Sequence, residues 1–190
     1  MLPKVHVNKE AFFVMAWAAV ETFKKECLGL LLGYGPTELY NYYLITGATP
    51  FQSVRRRSNT EVIQSERGFD RLNRFFSKLK SMKTQYLGDF HSHPEWGERK
   101  PFVDMSDIDI KSMSDEGHNL EIIIGISSRR KGQIVWEVLP DGSVKGSIDR
   151  YNFHFNAYTL VGPKKKGAPQ RLQIVAPSAL EALNRIYGHI

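Results

Sequence analysis

The stretch of residues 86–94 constrains the fold most, because it places two histidines at the end of an apolar run. Side chains two positions apart on a strand point to the same face, so His91 and His93 are predicted to lie side by side. Pro94 has no N–H to donate to a neighbouring strand. We therefore expect a strand that ends at Pro94, at an accessible edge, with two imidazoles able to grip one metal ion.

Residues on either side of this strand fit a metal-dependent reaction. Two histidines and one aspartate leave the fourth position of a zinc ion open, as catalytic zinc sites do. Asp109 follows Ser106 by three positions, a spacing that is also typical of a helix start and needs no chemistry. Asp89 is an alternative third ligand, because it shares the strand face of His91. Glu26 precedes an apolar, glycine-containing run and is the expected separate proton carrier.

Together these residues resemble the signature of the JAMM/MPN zinc metallopeptidase family. That signature is a glutamate ahead of an apolar glycine-containing strand, then His-x-His-Pro, then Ser-x-x-Asp. This chain matches it in order at Glu26, His91, His93, Ser106 and Asp109, and the resemblance spans roughly residues 5–140. Residues 94–105 make a longer connection than the family usually has. This departure leaves open whether Asp109 reaches the metal.

The resemblance implies a fold, a cofactor and an activity. The fold would be α/β (α+β), a single MPN-like domain whose mixed β-sheet curls around the zinc site with flanking helices. One Zn²⁺ per chain would be held by His91, His93 and Asp109. Glu26 would act as general base and then general acid, and Ser106 would stabilise the oxyanion. The implied reaction is deubiquitinase-like hydrolysis of amide bonds at the C-terminus of ubiquitin or a ubiquitin-like, sulfur-carrier-type protein. The alternative is a non-catalytic MPN scaffold within a protein complex.

Composition favours one ordinary globular unit. With 190 residues, of which 42% are hydrophobic, the chain is long enough for a single domain with a core. We predict a catalytic domain over residues 1–145. Residues 146–190 complete that domain or form a surface for a homodimer or another partner. The single cysteine, Cys27, excludes an internal disulfide and fits the reducing cytoplasm. The apolar run 12–20 is too short to cross a membrane, and we expect a buried first helix rather than a signal sequence.

The net charge of +6 favours acidic partners. Arg55, Arg56 and Arg57 are predicted to meet an acidic patch on a ubiquitin-like protein. The basic runs are not interleaved with aromatic residues, so a nucleic-acid platform is not expected. Trp96, in the long connection 94–105, is predicted to contact substrate. A helix over residues 65–82 shows apolar residues at three- and four-residue steps, which predicts that its apolar stripe packs in the core.

Overall fold

The computed structural model describes residues 2–78, 85–97, 99–116, 118–161 and 168–186. Eleven strands and four helices lie within these ranges. Their order is β1 Lys4–Val7, α1 Lys9–Glu21, β2 Leu28–Tyr34, β3 Tyr42–Pro50, β4 Val54–Arg57, β5 Val62–Gln64, α2 Glu66–Lys78, β6 Gln85–Pro94, α3 Asp107–Glu116, β7 Leu120–Ser128, β8 Glu137–Val138, β9 Val144–Ile148, β10 Tyr151–Val161, β11 Ala168–Val175 and α4 Pro177–Arg185.

Seven of these strands close into a barrel. Their order is β1-β3-β2-β6-β7-β10-β11, and β11 pairs in parallel with β1 to complete the ring. Strand β10 makes the closure possible because it changes partners along one edge. Residues 151–155 of β10 pair with β9, and residues 157–161 pair with β11. The predicted mixed, sheet-dominated α+β fold is confirmed, but the predicted curled sheet is instead a closed barrel.

The C-terminal strands are part of this barrel. Strand β10 lies beside β7, and β11 lies between β10 and β1. Residues after 145 therefore share one sheet with residues before it. The proposed division of roles between 1–145 and 146–190 stays a prediction.

Helix α1 and strand β7 build the core. The fully buried Phe12 of α1 stacks on Phe155, with 4.5 Å between ring centroids. Strand β7 is covered on both faces. Ile122, Ile124 and Ile126 belong to the cluster that contains α1, while Ile123 joins a smaller cluster with Met113 of α3. The odd-numbered residues of β7 therefore face the side on which α3 packs. Burial raises the pKa of the Cys27 thiol to about 12, so this cysteine behaves as a small apolar residue.

The prediction that the apolar stripe of α2 packs in the core is wrong. The described members of the stripe do not join either core cluster. Phe75 is 58% exposed, and Phe69, Leu72 and Phe76 are partly buried. The reason is topological: α2 follows the hairpin β4–β5, which forms its own two-stranded sheet apart from the barrel. The stripe's last member, Leu79, lies outside the described residues.

Among the described helices, none combines the length and apolar character needed to span a membrane.

Candidate metal centre

Strand β6 brings the two predicted histidines beside Glu26. Antiparallel pairing with β2 sets Leu28 opposite His91, and Glu26 lies two residues before Leu28. The backbone N–H of Cys27 donates to Ser92 Oγ at 2.8 Å, which fixes the start of β2 against β6. The N–H of Glu26 donates to the Ser58 carbonyl at 2.7 Å. The loop that joins β4 to β5 therefore anchors the backbone of Glu26, the proposed proton carrier.

The start of α3 orients Asp109. The backbone N–H and the hydroxyl of Ser106 both donate to Asp109 Oδ2, at 2.8 and 2.7 Å. The N–H of Asp109 donates back to Ser106 Oγ at 3.2 Å. This reciprocal pair is a capping box that uses aspartate in place of glutamate. It occupies one carboxylate oxygen and leaves Asp109 Oδ1 directed at His91, 3.5 Å from its Nε2.

The spacing of these atoms fits a tetrahedral metal ion. His91 Nε2 and His93 Nε2 are 3.0 Å apart, and ligand atoms of His91, His93 and Asp109 all lie within 4.8 Å of one another. Donors at about 2.0–2.1 Å from a tetrahedral zinc are about 3.3 Å apart, close to the 3.0 Å between the two imidazole nitrogens and the 3.5 Å between His91 Nε2 and Asp109 Oδ1. Asp89 lines the same cleft as these side chains but is engaged differently, because its Oδ1 accepts from the Tyr86 hydroxyl at 2.8 Å. In the described part of the chain, the group that could hold a metal contains Asp109 and not Asp89.

Hydrogen bonds from the back of each imidazole decide which nitrogen faces the centre. His93 Nδ1 lies 2.6 Å from the Phe102 carbonyl oxygen, and His91 Nδ1 lies 2.7 Å from Glu121 Oε1. A carbonyl or a carboxylate oxygen only accepts, so both Nδ1 atoms carry the proton. In the neutral rings, both Nε2 lone pairs then point at each other across 3.0 Å, next to a carboxylate oxygen. A proton or a cation between them relieves this repulsion.

The electrostatics of the cleft favour one positive charge there. Burial alone lowers the pKa of His91, but the hydrogen bond to Glu121 and the nearby carboxylates outweigh it and raise that pKa to about 9. Burial and the neighbouring His91 lower the pKa of His93. Of the two imidazoles, His91 is therefore the one whose charged form the cleft stabilises. Burial raises the pKa of Glu26 to about 7, although His91 opposes this effect.

A cleft of about 710 Å³ contains all five residues of the predicted signature: Glu26, His91, His93, Ser106 and Asp109. Trp96 borders the same cleft and is 62% exposed. Arg57 lines a second cleft, of about 590 Å³, which also contains Trp96. Arg55 and Arg56 are exposed on β4, and Arg56 lies 3.7 Å from Glu61. The arginines are thus separated from the histidines, and only Arg57 reaches a neighbouring cleft.

Three groups around the centre were not predicted as functional from the sequence. They are Glu121, its second partner His118, and the Phe102 carbonyl. The sequence carried one usable signal: Glu121 is a single charged residue within the apolar run that forms β7. His118 has no second histidine at metal-like spacing in the sequence, and it is buried against Glu121. A backbone carbonyl carries no signal in side-chain chemistry.

The solved structures to which the chain is similar include the following two. One is the solution structure of protein DSY2949 from Desulfitobacterium hafniense, with 18% identity, 90% of this chain and 92% of that chain covered, and a TM-score of 0.51. This likeness shows a shared fold. The other is AF2198, a JAB1/MPN domain protein from Archaeoglobus fulgidus, with 14% identity, 90% and 97% coverage and a TM-score of 0.40. That score is too low to establish a common fold. Neither a family model nor a curated protein matches the chain.

Proposed function

We propose that this protein is a JAMM/MPN-type zinc hydrolase of amide bonds. The observation that carries the proposal is the convergence of His91 Nε2, His93 Nε2 and Asp109 Oδ1 at distances that suit a tetrahedral ion. Zinc is preferred because two neutral imidazoles and one carboxylate form the protein part of an open catalytic zinc site. Zinc bound there would polarise a substrate carbonyl and acidify a water molecule.

Glu26 supplies the proton transfer. Its pKa of about 7 in the metal-free protein lets the carboxylate both accept and release a proton near neutral pH. The carboxylate takes a proton from the attacking water as the new carbon–oxygen bond forms. It then delivers that proton to the leaving nitrogen as the carbon–nitrogen bond breaks. Water is the only reactant besides the amide substrate.

Ser106 can stabilise the developing oxyanion if its hydroxyl turns away from Asp109. The turn leaves Asp109 held, because the backbone N–H of Ser106 also donates to Oδ2 at 2.8 Å. A single serine can therefore serve first in orienting the ligand and then in the reaction. Removing one such donor costs about 100- to 1,000-fold in rate.

The proposed substrate is the C-terminus of a ubiquitin-like protein joined to an amine. Support comes from the second cleft, which borders the first at Trp96 and Asn59 and is lined by Lys24, Lys25, Arg57 and Arg130. Glu95 also lines this cleft, 4.0 Å from Arg130, and the remaining excess of positive charge favours a partner with acidic side chains. Raising the salt concentration should therefore raise KM for such a substrate. Arg57→Gln should do the same, with Arg150→Gln at the turn before β10 as the matched control.

Zinc content and cleavage of a panel of ubiquitin-like fusions test the proposal together. Purified protein should contain one zinc per chain and cleave at least one fusion. Asp109→Ala should lose the metal, and Asp89→Ala should keep it. The opposite pattern would mean that the connection 94–105 has moved the ligand. A zinc-free, inactive wild type would favour the alternative, a non-catalytic scaffold.

A further inference from the structure

Glu121 is a buried carboxylate near the start of β7, and the residues around it in that part of the strand are apolar. It pairs with Asp89 across the parallel strands β6 and β7, so its side chain faces the same side as His91. Its neighbours Leu120 and Ile122 are fully buried. The side chain of Glu121 is 6% exposed, which is rare for a glutamate unless its charge is paired.

Two histidines contact the Glu121 carboxylate. Oε1 lies 2.7 Å from His91 Nδ1, and Oε2 lies 3.0 Å from Nε2 of the fully buried His118. Both carboxylate oxygens are thus engaged, and the carboxylate plane is held from two sides. Behind them, His118 Nδ1 lies 3.9 Å from Asp89 Oδ2, and the Tyr86 hydroxyl donates to the other oxygen of Asp89. The network runs behind the metal centre from β6 to β7.

Barrel packing gives no reason for this residue. Burying a carboxylate costs several kcal/mol before pairing, and replacing such networks by apolar residues is often neutral or stabilising. An apolar residue at position 121 would extend the run that follows it in β7. The contact with His91 is what an apolar residue cannot supply.

We infer that Glu121, braced by His118, is a positioning residue that presents His91 Nε2 to the metal. The inference rests on the proposed metal site. As an acceptor, Glu121 keeps the proton of His91 on Nδ1, fixes the ring orientation and makes Nε2 a stronger donor to a metal. On His93, Nδ1 donates instead to the neutral carbonyl oxygen of Phe102. His91 is therefore the more strongly held and more basic of the two imidazole ligands.

The test is zinc affinity, measured by competition with a chromophoric chelator. Glu121→Gln keeps the shape and an acceptor oxygen but removes the charge, and should weaken zinc binding about 10- to 100-fold. Glu61→Gln is the matched control, because Glu61 lines the same cleft and forms its ion pair with Arg56 instead of a proposed ligand. It should leave affinity unchanged. The visible spectrum of the cobalt-substituted protein should shift in Glu121→Gln and not in Glu61→Gln, which a purely structural role would not produce.

The outcomes separate the inference from the proposed function. If wild type binds no zinc, the proposed function fails and the inference with it. If wild type binds zinc and folded Glu121→Gln binds it equally well, the inference alone is overturned. Should Glu121→Gln fail to fold, His118→Gln decides: zinc affinity reduced about threefold or more supports the brace, and wild-type affinity in that folded variant overturns it.

Discussion

At the scale of single residues, the proton-transfer role of Glu26 can be tested by removing its carboxylate. Glu26→Gln keeps the size and polarity of the side chain but removes the group that moves the proton. We expect full zinc occupancy and a loss of hydrolysis of about 100- to 10,000-fold. The measurement is zinc stoichiometry and turnover on one cleaved fusion. Unchanged turnover would remove Glu26 from the mechanism, and joint loss of zinc and activity would make it a ligand.

Ser106 separates a catalytic role from a capping role. If it only caps α3, Ser106→Ala should cost about 1 kcal/mol of stability and spare turnover. With the proposed oxyanion role, kcat should also fall about 100- to 1,000-fold. Zinc should remain in either case, because the backbone N–H at position 106 still holds Asp109. Thermal unfolding and kcat, measured on the same zinc-loaded sample, distinguish the two.

The histidine pair could be predicted from the sequence, but its support could not. The two-residue period of a strand places His91 and His93 on one face in any register. Glu121 contacts His91 only because β7 lies parallel to β6 with Asp89 opposite Glu121. That register depends on packing between distant segments, which a local pattern does not contain. The same limit applies to Asp109, whose distance from His91 depends on the path of residues 94–105.

At the scale of elements, the connection 94–105 is held by the barrel over its second half. The amide of Asn156 donates to the Val103 carbonyl at 2.7 Å, and the Tyr158 hydroxyl donates to Asp104 at 2.7 Å. Gly125 of β7 has no side chain, and a Cβ there would lie 2.4 Å from Val103. This contact lets the connection approach β7 closely. The Phe102 carbonyl is thereby held against His93.

Trp96, in the first half of the connection, tests its predicted contact with substrate. Because the side chain is 62% exposed, Trp96→Ala removes little packing. We expect an unchanged melting temperature and zinc content, and a KM for a ubiquitin-like fusion raised about tenfold or more, as for an aromatic residue that anchors an interface. Phe75→Ala is the matched control, an equally exposed aromatic residue on α2. A large fall in melting temperature with unchanged KM would make Trp96 a packing residue.

Helix α2 and strand β10 show why element type is easier to predict than placement. The three- and four-residue period of α2 was correct, but an apolar stripe does not reveal whether a core is available to cover it. Helix α2 follows the hairpin β4–β5, a sheet separate from the barrel, and touches the barrel through Phe69, whose ring centroid lies 6.3 Å from that of Tyr86. Likewise, aromatic and polar residues alternate over 152–161, which is typical of a strand, but the pattern does not reveal that one edge of β10 pairs first with β9 and then with β11. Barrel closure follows from that exchange.

At the scale of the whole molecule, stability should depend on pH differently in the metal-free and the zinc-loaded protein. Burial raises the pKa of Glu26 from 4.5 to about 7, and its partners raise that of His91 from 6.5 to about 9. A group whose pKa is higher in the folded state contributes stability that is complete below its unfolded pKa and is lost as pH rises through the folded value. The stability that Glu26 and His91 contribute to the metal-free protein should therefore be lost from about pH 5 to pH 9, and His93, whose pKa is lowered, opposes this loss below about pH 6.5.

Zinc cancels the His91 part of this trend because it replaces the proton on His91. Between about pH 6.5 and 9, each unit of pH strengthens the apparent binding of zinc about tenfold, or by about 1.4 kcal/mol. The rise in melting temperature caused by a fixed excess of zinc should thus be larger at pH 8 than at pH 6.5. Thermal unfolding across this range, with zinc and with a chelator, measures both trends. Glu26→Gln should flatten the metal-free trend between pH 4.5 and 7 and leave the zinc-dependent one intact. A zinc-induced rise that does not vary with pH would contradict the proton exchange at His91.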